Sequence, residues 1–551
     1  MAQFSDNART ILEKRYLAVI NGKRETIDEF IDRVSMKNPE YKAHLIEPLN
    51  FLPNSPTLFN LDVPGGGTLS ACFKFDVADT MLDGSDGIMD TATKAAMVTK
   101  WGGGVGYYVG GIRPAGSLVN STHGKAMGPV AVLRYYNAMA KMLTQSGKRE
   151  AAQMGIIDVT HPDVYEFIHM KDDDPQGLST FNISVAITDE FMEKAIADPT
   201  GVEAGLLRDM ATSAWRTGDP GVYFVDRAER DNPTPYDGKL SGTNPCGEVP
   251  LLNNEPCNLG SINLRNFVNE SRTDIAWHHL TPIVSLATRY LDDVLDKNHF
   301  PDYRITAAAH YTRKLGLGVC GWADALALMG IPYASEDAVA LLSKVMAFIR
   351  EHADAESERL ATVKRPAPCF SARGVRKRNA TTLCIAPTGS IAILMGASSG
   401  IEPHFLTEWS RTMGDGTVLR EHIEVLDEIG DFKPQTAMEI PWEWHIRHQA
   451  AAQKHVDLAV SKTINMPNDA TVDDIYNAYI MMWQEGCKGG TVFRDGCRDE
   501  QVLARVHESE DVIITVTTNH IESCEECGSN ALAHHEGCVD CLSCGWSVCA
   551  V

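Results

Sequence analysis

The chain has 551 residues, 22% of them charged, and a formal net charge of −23 at pH 7; that length allows about three or four domains, or fewer where a barrel takes up much of it. The excess of acid, with no basic run beyond "VRKRN" at 375–379, argues against a surface that neutralises nucleic-acid phosphates. No cationic start precedes an apolar core and no stretch approaches eighteen apolar residues, so a soluble, cytoplasmic chain without membrane contact is expected.

Residues 5–48 read as amphipathic helices that close near "PLNFLPNSPTLFN". Apolar runs then alternate with helical patterns: "SACFKFDV", the helix "DGIMDTATKAAMVTKW", "GVGYYVGGI", the helix "PVAVLRYYNAMAKMLTQ", "MGIIDV", "FNISVAI" and the helix "AGLLRDMATSAWRTG". Further on, "HLTPIVSLATRYLDDVLD" and "SEDAVALLSKVMAFIREHADAESERLA" have helical period, while "TTLCIAP" and "GTVFRDG" read as short buried strands. Strands alternating with helices predict an α/β architecture. "WGGGVGYYVGG" lacks the G-x-G-x-x-G order and no helical pattern follows it, so it does not announce a dinucleotide fold. Composition shifts only near residue 510; together with the helical pattern before residue 50, the expected division is an N-terminal helical segment (1–50), a main body (51–510), a linker (511–523) and a Cys-rich tail (524–551).

The segment "TNPCGEVPLLNNEPCNLGSINL" (243–264) is dense in turn formers yet carries two cysteines, Cys246 and Cys257. If extended, Asn244, Cys246 and Glu248 project to one face and present an amide, a thiol and a carboxylate to one small substrate. A carboxylate serves as general base toward a hydroxyl, an amide holds an oxygen by hydrogen bond, and sulfur acts as nucleophile or hydrogen-atom abstractor. The bland alternative is a Gly-Pro loop with an incidental buried cysteine.

Fourteen cysteines in a reducing compartment divide among buried thiols, metal ligands and redox groups rather than into a disulfide framework. Cys524 and Cys527 in "CEECG", with Cys541 and Cys544 in "CLSCG", form two C-x-x-C-G knuckles at the spacing of a zinc ribbon. A tail this short buries little apolar surface, so Zn2+ is the natural source of its order. Cys538 and Cys549 remain as an electron-carrying pair; a partition with Cys538 and Cys541 as ligands and Cys544 with Cys549 as the dithiol stays open. The tail holds no Lys or Arg, against a nucleic-acid-binding ribbon.

"NPCGE", "PCNLGSINL", "FLPNSPTLFN", "LSACF" and "APTGSIAILMGASSGIEPHF" together resemble the catalytic chain of ribonucleotide reductases, and most closely the adenosylcobalamin-dependent class II enzymes, from about residue 50 onward. The resemblance implies a ten-stranded α/β barrel of two parallel five-stranded halves, with a central finger loop, N-terminal helices and a small zinc ribbon. It implies that Cys246 is the transient thiyl radical that removes the 3′-hydrogen, that Glu248 takes the 3′-hydroxyl proton and that Asn244 orients the ribose hydroxyls. Cys72 and Cys257 would supply two electrons and close a disulfide, which requires Cα atoms within about 4.4–6.8 Å. "TTLCIAPTGSIAIL" resembles the substrate-phosphate site, with Pro387, Thr388, Gly389 and Ser390 at a helix start, where free N–H groups and a hydroxyl hold an anion without a basic residue. Ser55, Thr57, Ser70 and Ala71 would complete the substrate site.

"LTQSGKREAAQMGIID" resembles the loop through which a deoxynucleotide effector selects the substrate base, with Lys148 and Arg149 as contacts, although it departs from the Arg-rich pattern of many relatives. That effector site lies at the subunit interface of dimeric relatives, which points to a homodimer. The region before residue 50 does not resemble an ATP-binding cone. Class I relatives receive the radical through two adjacent tyrosines where this chain has Phe493 and Arg494; neither replaces a phenol, which favours cobalamin over a class I-like chain served by a separate radical-generating subunit. A ribonucleotide substrate, as diphosphate ahead of triphosphate, and a thioredoxin- or glutaredoxin-like reductant follow from the resemblance. His404 and His123 read as ordinary polar or core residues.

Overall fold

In the computed structural model the described residues are 4–82, 84–145, 149–172, 178–412, 418–497, 503–505, 532–535, 538–541 and 547–549. The chain divides into two compact units, Met1–Ala504 and Arg505–Val551. In the first, ten strands join one sheet: β1 (Phe51–Pro53), β2 (Cys72–Asp76), β3 (Gly104–Tyr108), β4 (Gln153–Asp158), β5 (Phe181–Ile187), β6 (Gly221–Phe224), β7 (Pro256–Asn263), β8 (Leu315–Cys320), β9 (Thr463–Met466) and β10 (Gly489–Arg494). Their order is β8-β7-β2-β3-β4-β5-β6-β10-β9, with β1 laid against β7.

Strands β2 to β6 run parallel to one another. So do β7 with β8, and β9 with β10. The two sets meet antiparallel where β7 pairs with β2 and β6 with β10. Residues 381–385 lie between the free edges: Leu317 bridges Leu383 and Ile385 bridges Val460, both in parallel sense. Cys384 N donates to Leu317 O at 3.1 Å and Ile385 N to Ala459 O at 3.2 Å, so the hydrogen-bonded order returns from the approach to β9 back to β8.

Strands of this kind are covered on both faces and read as apolar runs. In β4, Met154 and Ile156 join a small inner cluster with Ala186 and Tyr223, while Ile157 joins the large cluster under the helices. That outer core draws Ala95 and Val98 from helix Ile88–Lys100, Leu133 and Tyr136 from Gly128–Lys141, and Leu207 and Met210 from Val202–Thr217. Each large apolar side chain so buried contributes about 1.5–3 kcal/mol. Helices Trp277–Lys297 and Glu336–Lys364 cover the other set of strands in a second core; Ser335 caps the longer one by accepting from Ala338 N at 3.2 Å.

The N-terminal residues are fastened to this body. Buried Arg33, paired with Glu25, donates to Leu58 O at 3.1 Å and Leu61 O at 3.0 Å. Among the described residues no helix is long and apolar enough to cross a membrane. The second unit contains three antiparallel strands, Leu532–His535, Cys538–Cys541 and Ser547–Cys549, whose register sets Cys538 opposite Cys549.

Candidate active site

The segment 242–251 is a tight hairpin in which Gly242–Thr243 pairs with Pro250–Leu251. Gly247 N donates to Asn244 O at 3.1 Å and Asn244 N to Val249 O at 3.3 Å; Gly247 sits at φ 82°, where only glycine is unstrained. This hairpin presses on the inner face of β3. A Cβ on Gly106 would lie 1.7 Å from Thr243 O, and one on Gly104 would lie 3.0 Å from the Pro245 ring. Gly104 and Gly106 of "WGGGVGYY" therefore make room for a loop, not for a nucleotide. Asn182 Nδ2 donates to Pro245 O at 2.9 Å and Ala459 N to Glu248 O at 2.8 Å, tying the tip to β5 and to the chain before β9.

At that tip Cys246 is exposed to a cavity of about 550 Å³, whereas Asn244 and Glu248 are buried. Asn244 Nδ2 donates to Cys72 Sγ at 3.0 Å, and the Cys72 thiol faces Glu248 Oε1 at 3.9 Å. Asn244 Oδ1 accepts from Val249 N at 3.0 Å, which fixes the amide's orientation. Cys72 and Cys257 are direct register partners where β2 meets β7. Opposed residues of an antiparallel pair have Cα atoms about 4.5–5.5 Å apart, inside the disulfide range. All three cysteines are free thiols. Burial, helped by the Glu248 charge, pushes the Cys72 thiol far above the ordinary range. Burial also pushes Cys257 up, against the opposing charge of Lys314. Both are held as neutral thiols, suited to giving up hydrogen rather than to nucleophilic attack.

Pro387 and Gly389 line the same cavity. Thr388 takes a left-handed backbone (φ 57°), its Oγ1 accepts from Gly400 N at 2.7 Å, and helix Gly389–Leu394 begins at once, with Ser390 in its first turn. Ser55 and Thr57 do not line that cavity: Ser55 Oγ bonds the Tyr16 hydroxyl at 2.9 Å and buried Thr57 donates to Leu69 O at 2.9 Å. Buried Ser70 donates to Asn258 Oδ1 at 2.5 Å and accepts from Asn298 Nδ2 at 2.8 Å, with half-buried Ala71 between it and Cys72. Lys148 lies outside the described residues; Arg149 opens the second strand of a hairpin with Thr144–Gln145. Cys524, Cys527 and Cys544 also lie outside them, and Cys541 ends the middle strand of the second unit.

His404, expected to be ordinary, is buried in the cavity wall with Nε2 2.8 Å from Asp324 Oδ1. Burial tends to raise the Asp324 pKa, but the His404 bond and Ser398 N (2.6 Å) bring it below the usual range. Phe493 also faces the cavity. Arg494 is buried away from it, giving Nε to Trp215 O at 3.1 Å and Nη1 to Asn468 O at 3.0 Å. Sequence reasoning also passed over Arg411, Glu421 and Lys462, which line the cavity from segments without motif character.

Residues 70–201, 196–378, 371–435 and 432–493 match the family described as ribonucleotide reductase, barrel domain, and the chain belongs to that family. It is 38% identical to a vitamin B12-dependent ribonucleoside-diphosphate reductase of Mycobacterium tuberculosis (strain CDC 1551 / Oshkosh), over 90% of this chain and 80% of that one. It is equally 38% identical to an enzyme of the same name from Thermoplasma acidophilum, over 89% of this chain and 71% of that one. Among solved structures, the Actinobacillus ureae class Id ribonucleotide reductase alpha subunit shares the fold, with TM-score 0.74, 22% identity, and coverage of 90% of this chain and 97% of that one.

Proposed function

We propose that the chain reduces ribonucleoside diphosphates to 2′-deoxyribonucleotides by thiyl-radical chemistry dependent on adenosylcobalamin. The observation that carries this is the Cys72–Cys257 register pair set beside the Asn244–Cys246–Glu248 turn. The ring of strands returning through 381–385 is taken as the ten-stranded barrel of two parallel halves, with 242–251 as its finger.

Cys246 removes the 3′-hydrogen of the ribose while Glu248 accepts the 3′-hydroxyl proton and Asn244 holds the hydroxyls. A radical at C3′ weakens the adjacent C2′–O bond, and the 2′-hydroxyl leaves as water. Cys72 and Cys257 supply the two electrons and two hydrogens for that step and end as one disulfide. Cys246 then returns the hydrogen to C3′. The buried, neutral state of the two reductant thiols suits this exchange in a water-poor site.

The lining suits the cofactor: Cys246 is exposed at the cavity, and Phe405, Ile393, Val492 and Phe493 would give an apolar wall for holding it. When bound, adenosylcobalamin supplies the oxidising equivalent at Cys246. Phe493, which lines the cavity, has no phenol with which to serve a tyrosine relay from a second subunit.

The proposal extends to Pro387, Thr388, Gly389 and Ser390 as the phosphate turn, and to Lys148 and Arg149 as contacts of a deoxynucleotide or ATP effector in a cytoplasmic homodimer. Cys538 and Cys549 pass electrons from a thioredoxin- or glutaredoxin-like protein to Cys72 and Cys257, in keeping with their opposed register. Zn2+ takes Cys524, Cys527, Cys541 and Cys544.

The test is deoxyribonucleotide formation by the purified chain with a ribonucleoside diphosphate, a small dithiol, mixed effectors, and adenosylcobalamin present or omitted. Turnover is expected only with the cobalamin and is abolished in Cys246→Ala. Nucleotide binding without turnover in any mixture would redirect the search to a separate radical-generating subunit.

A further inference from the structure

A nucleoside diphosphate brings two to three negative charges into this cavity, so its wall must offer donors that are not already spent. Among the described lining residues, the Arg and Lys side chains are Arg411 and Lys462. Lys462 is fully buried and its ammonium is used up: it bonds Glu402 Oε2, His445 Nδ1 at 2.8 Å and Thr463 O at 2.7 Å. An ammonium has three hydrogens, which leaves none for a ligand.

Arg411 is placed differently. It stands on the hairpin Glu408–Thr412 with Val418–His422, where Trp409 pairs with Glu421. Buried Glu421 grips one edge of the guanidinium, accepting from Nε at Oε1 and from Nη2 at Oε2 (3.1 Å). Trp409 Nε1 donates to the same Oε2 at 3.0 Å, so the carboxylate cannot swing away. The remaining nitrogen, Nη1, has no acceptor among the described residues. It lies 3.9 Å from where a Cβ on Gly389 would stand, directly over the Pro387–Ser390 turn.

The hairpin is held over that turn. Trp409, Ile423 and Val425 root it in a cluster with Ala327. The N-terminal helix Asp6–Ile11 touches both the hairpin and helix Gly389–Leu394, and Asn7 Nδ2 donates to Arg420 O at 2.6 Å. Helix Gly389–Leu394 has only six residues and aligns few peptide dipoles, so the turn alone is a modest anion site. A guanidinium fixed by a carboxylate on one edge and open on the other supplies the charge-assisted donors it lacks.

We propose that Arg411 contacts the phosphates of the nucleotide substrate across the Pro387–Ser390 turn, with Glu421 as its positioning residue. This deepens the ribonucleotide reading of the same site. The contact is to a non-reacting part of the substrate, present in ground state and transition state alike, so its loss acts on binding more than on turnover.

Calorimetric binding of cytidine diphosphate, together with KM and kcat for it and KM for adenosylcobalamin, tests this on the full-length chain. Arg411→Ala should weaken diphosphate binding and raise its KM by about ten- to a hundredfold, as loss of a charge-assisted bond implies. In that variant kcat should change less than about threefold and the cobalamin KM should stay unchanged. Arg411→Lys should recover part of the affinity. The pair Arg411→Ala with Glu421→Gln avoids a buried unpaired carboxylate and should bind as weakly as the single variant, so misfolding cannot mimic the result. Unchanged diphosphate binding, or a change confined to the cobalamin KM, overturns the proposal. Wild-type chain that binds the diphosphate without turning it over would strike the functional reading and leave the Arg411 comparison decided by calorimetry.

Discussion

The two ends of the strand ring differ in what they leave free to carry charge. At one end, where β2 finishes and β7 and β8 begin, buried lysines are consumed internally. Lys314 Nζ meets Glu255 Oε2 at 2.6 Å, with both groups almost wholly inaccessible, and Lys74 meets Asp76 and Ser241. At the other end, beyond β9, β10 and residues 381–385, the cavity opens on Cys246 and one edge of Arg411 is left to a ligand. A closed end stiffens the frame that aligns Cys72 with Cys257. The open end also consumes Lys462 internally, but it keeps one edge of Arg411 for what enters.

The finger is the sharpest probe of the open end. Gly106→Ala would drive a methyl into the Thr243 carbonyl and shift the hairpin that carries Asn244, Cys246 and Glu248. Turnover should fall about a hundredfold, the scale of an ångström-level misplacement, while thermal unfolding moves little. An unfolding midpoint lowered in proportion to activity would mean that the finger belongs to the frame.

At the closed end the effect should fall on stability. Lys314→Met leaves the Glu255 carboxylate buried beside it without a counter-charge, a change that costs about 3–5 kcal/mol. Adding Glu255→Gln should restore most of that loss in denaturant titrations. Failure of the second change to rescue the first would show that Lys314 matters through packing alone.

A smaller effect separates the ends by pH. His448 is stacked on Tyr333 at 3.8 Å, and burial lowers its pKa to about 3. Burial and then the nearby Lys462 charge also lower His445 well below its ordinary value. The unfolded chain protonates these rings near pH 6.5 and the folded chain does not, so protons favour unfolding below that value. The contribution of these two rings should be flat above pH 7 and fall below pH 6.5, for His448 by about 1.4 kcal/mol per pH unit down to about pH 3. His448→Phe keeps the stacking and should remove one ring's share of the slope, read from Tm at pH 7.5 and 5.0. An unchanged slope would acquit His448.

The alternating runs from "SACFKFDV" to "FNISVAI" were legible because parallel strands buried on both faces are simply apolar. β7 and β8 were not. β7 carries Asn258, Ser261 and Asn263, all buried, and Asn258 belongs there because Ser70 and Asn298 bond its side chain. β8 carries Gly316 and Gly318 because the Cys384 side chain and carbonyl approach within 2.6 and 2.3 Å of any Cβ there. Such strands answer to distant neighbours and lose the local pattern. "TTLCIAP" is met only by bridges at its edges, since its neighbours on both sides come from remote parts of the chain.

The sequence by itself determined the chemistry: a thiol, an amide and a carboxylate at alternate positions of one turn, two further cysteines, and a Pro-Thr-Gly-Ser turn. Their residue types and local spacing carry that information without a fold. Only the tertiary structure decided that Cys72 faces Cys257, that Gly106 yields space to the finger, that His404 and Arg411 line the cavity, and that Ser55, Thr57 and Ser70 bond to the frame. Each of these depends on strand register and on contacts between segments far apart in the chain, which hydrogen bonding and burial settle together and no local pattern encodes.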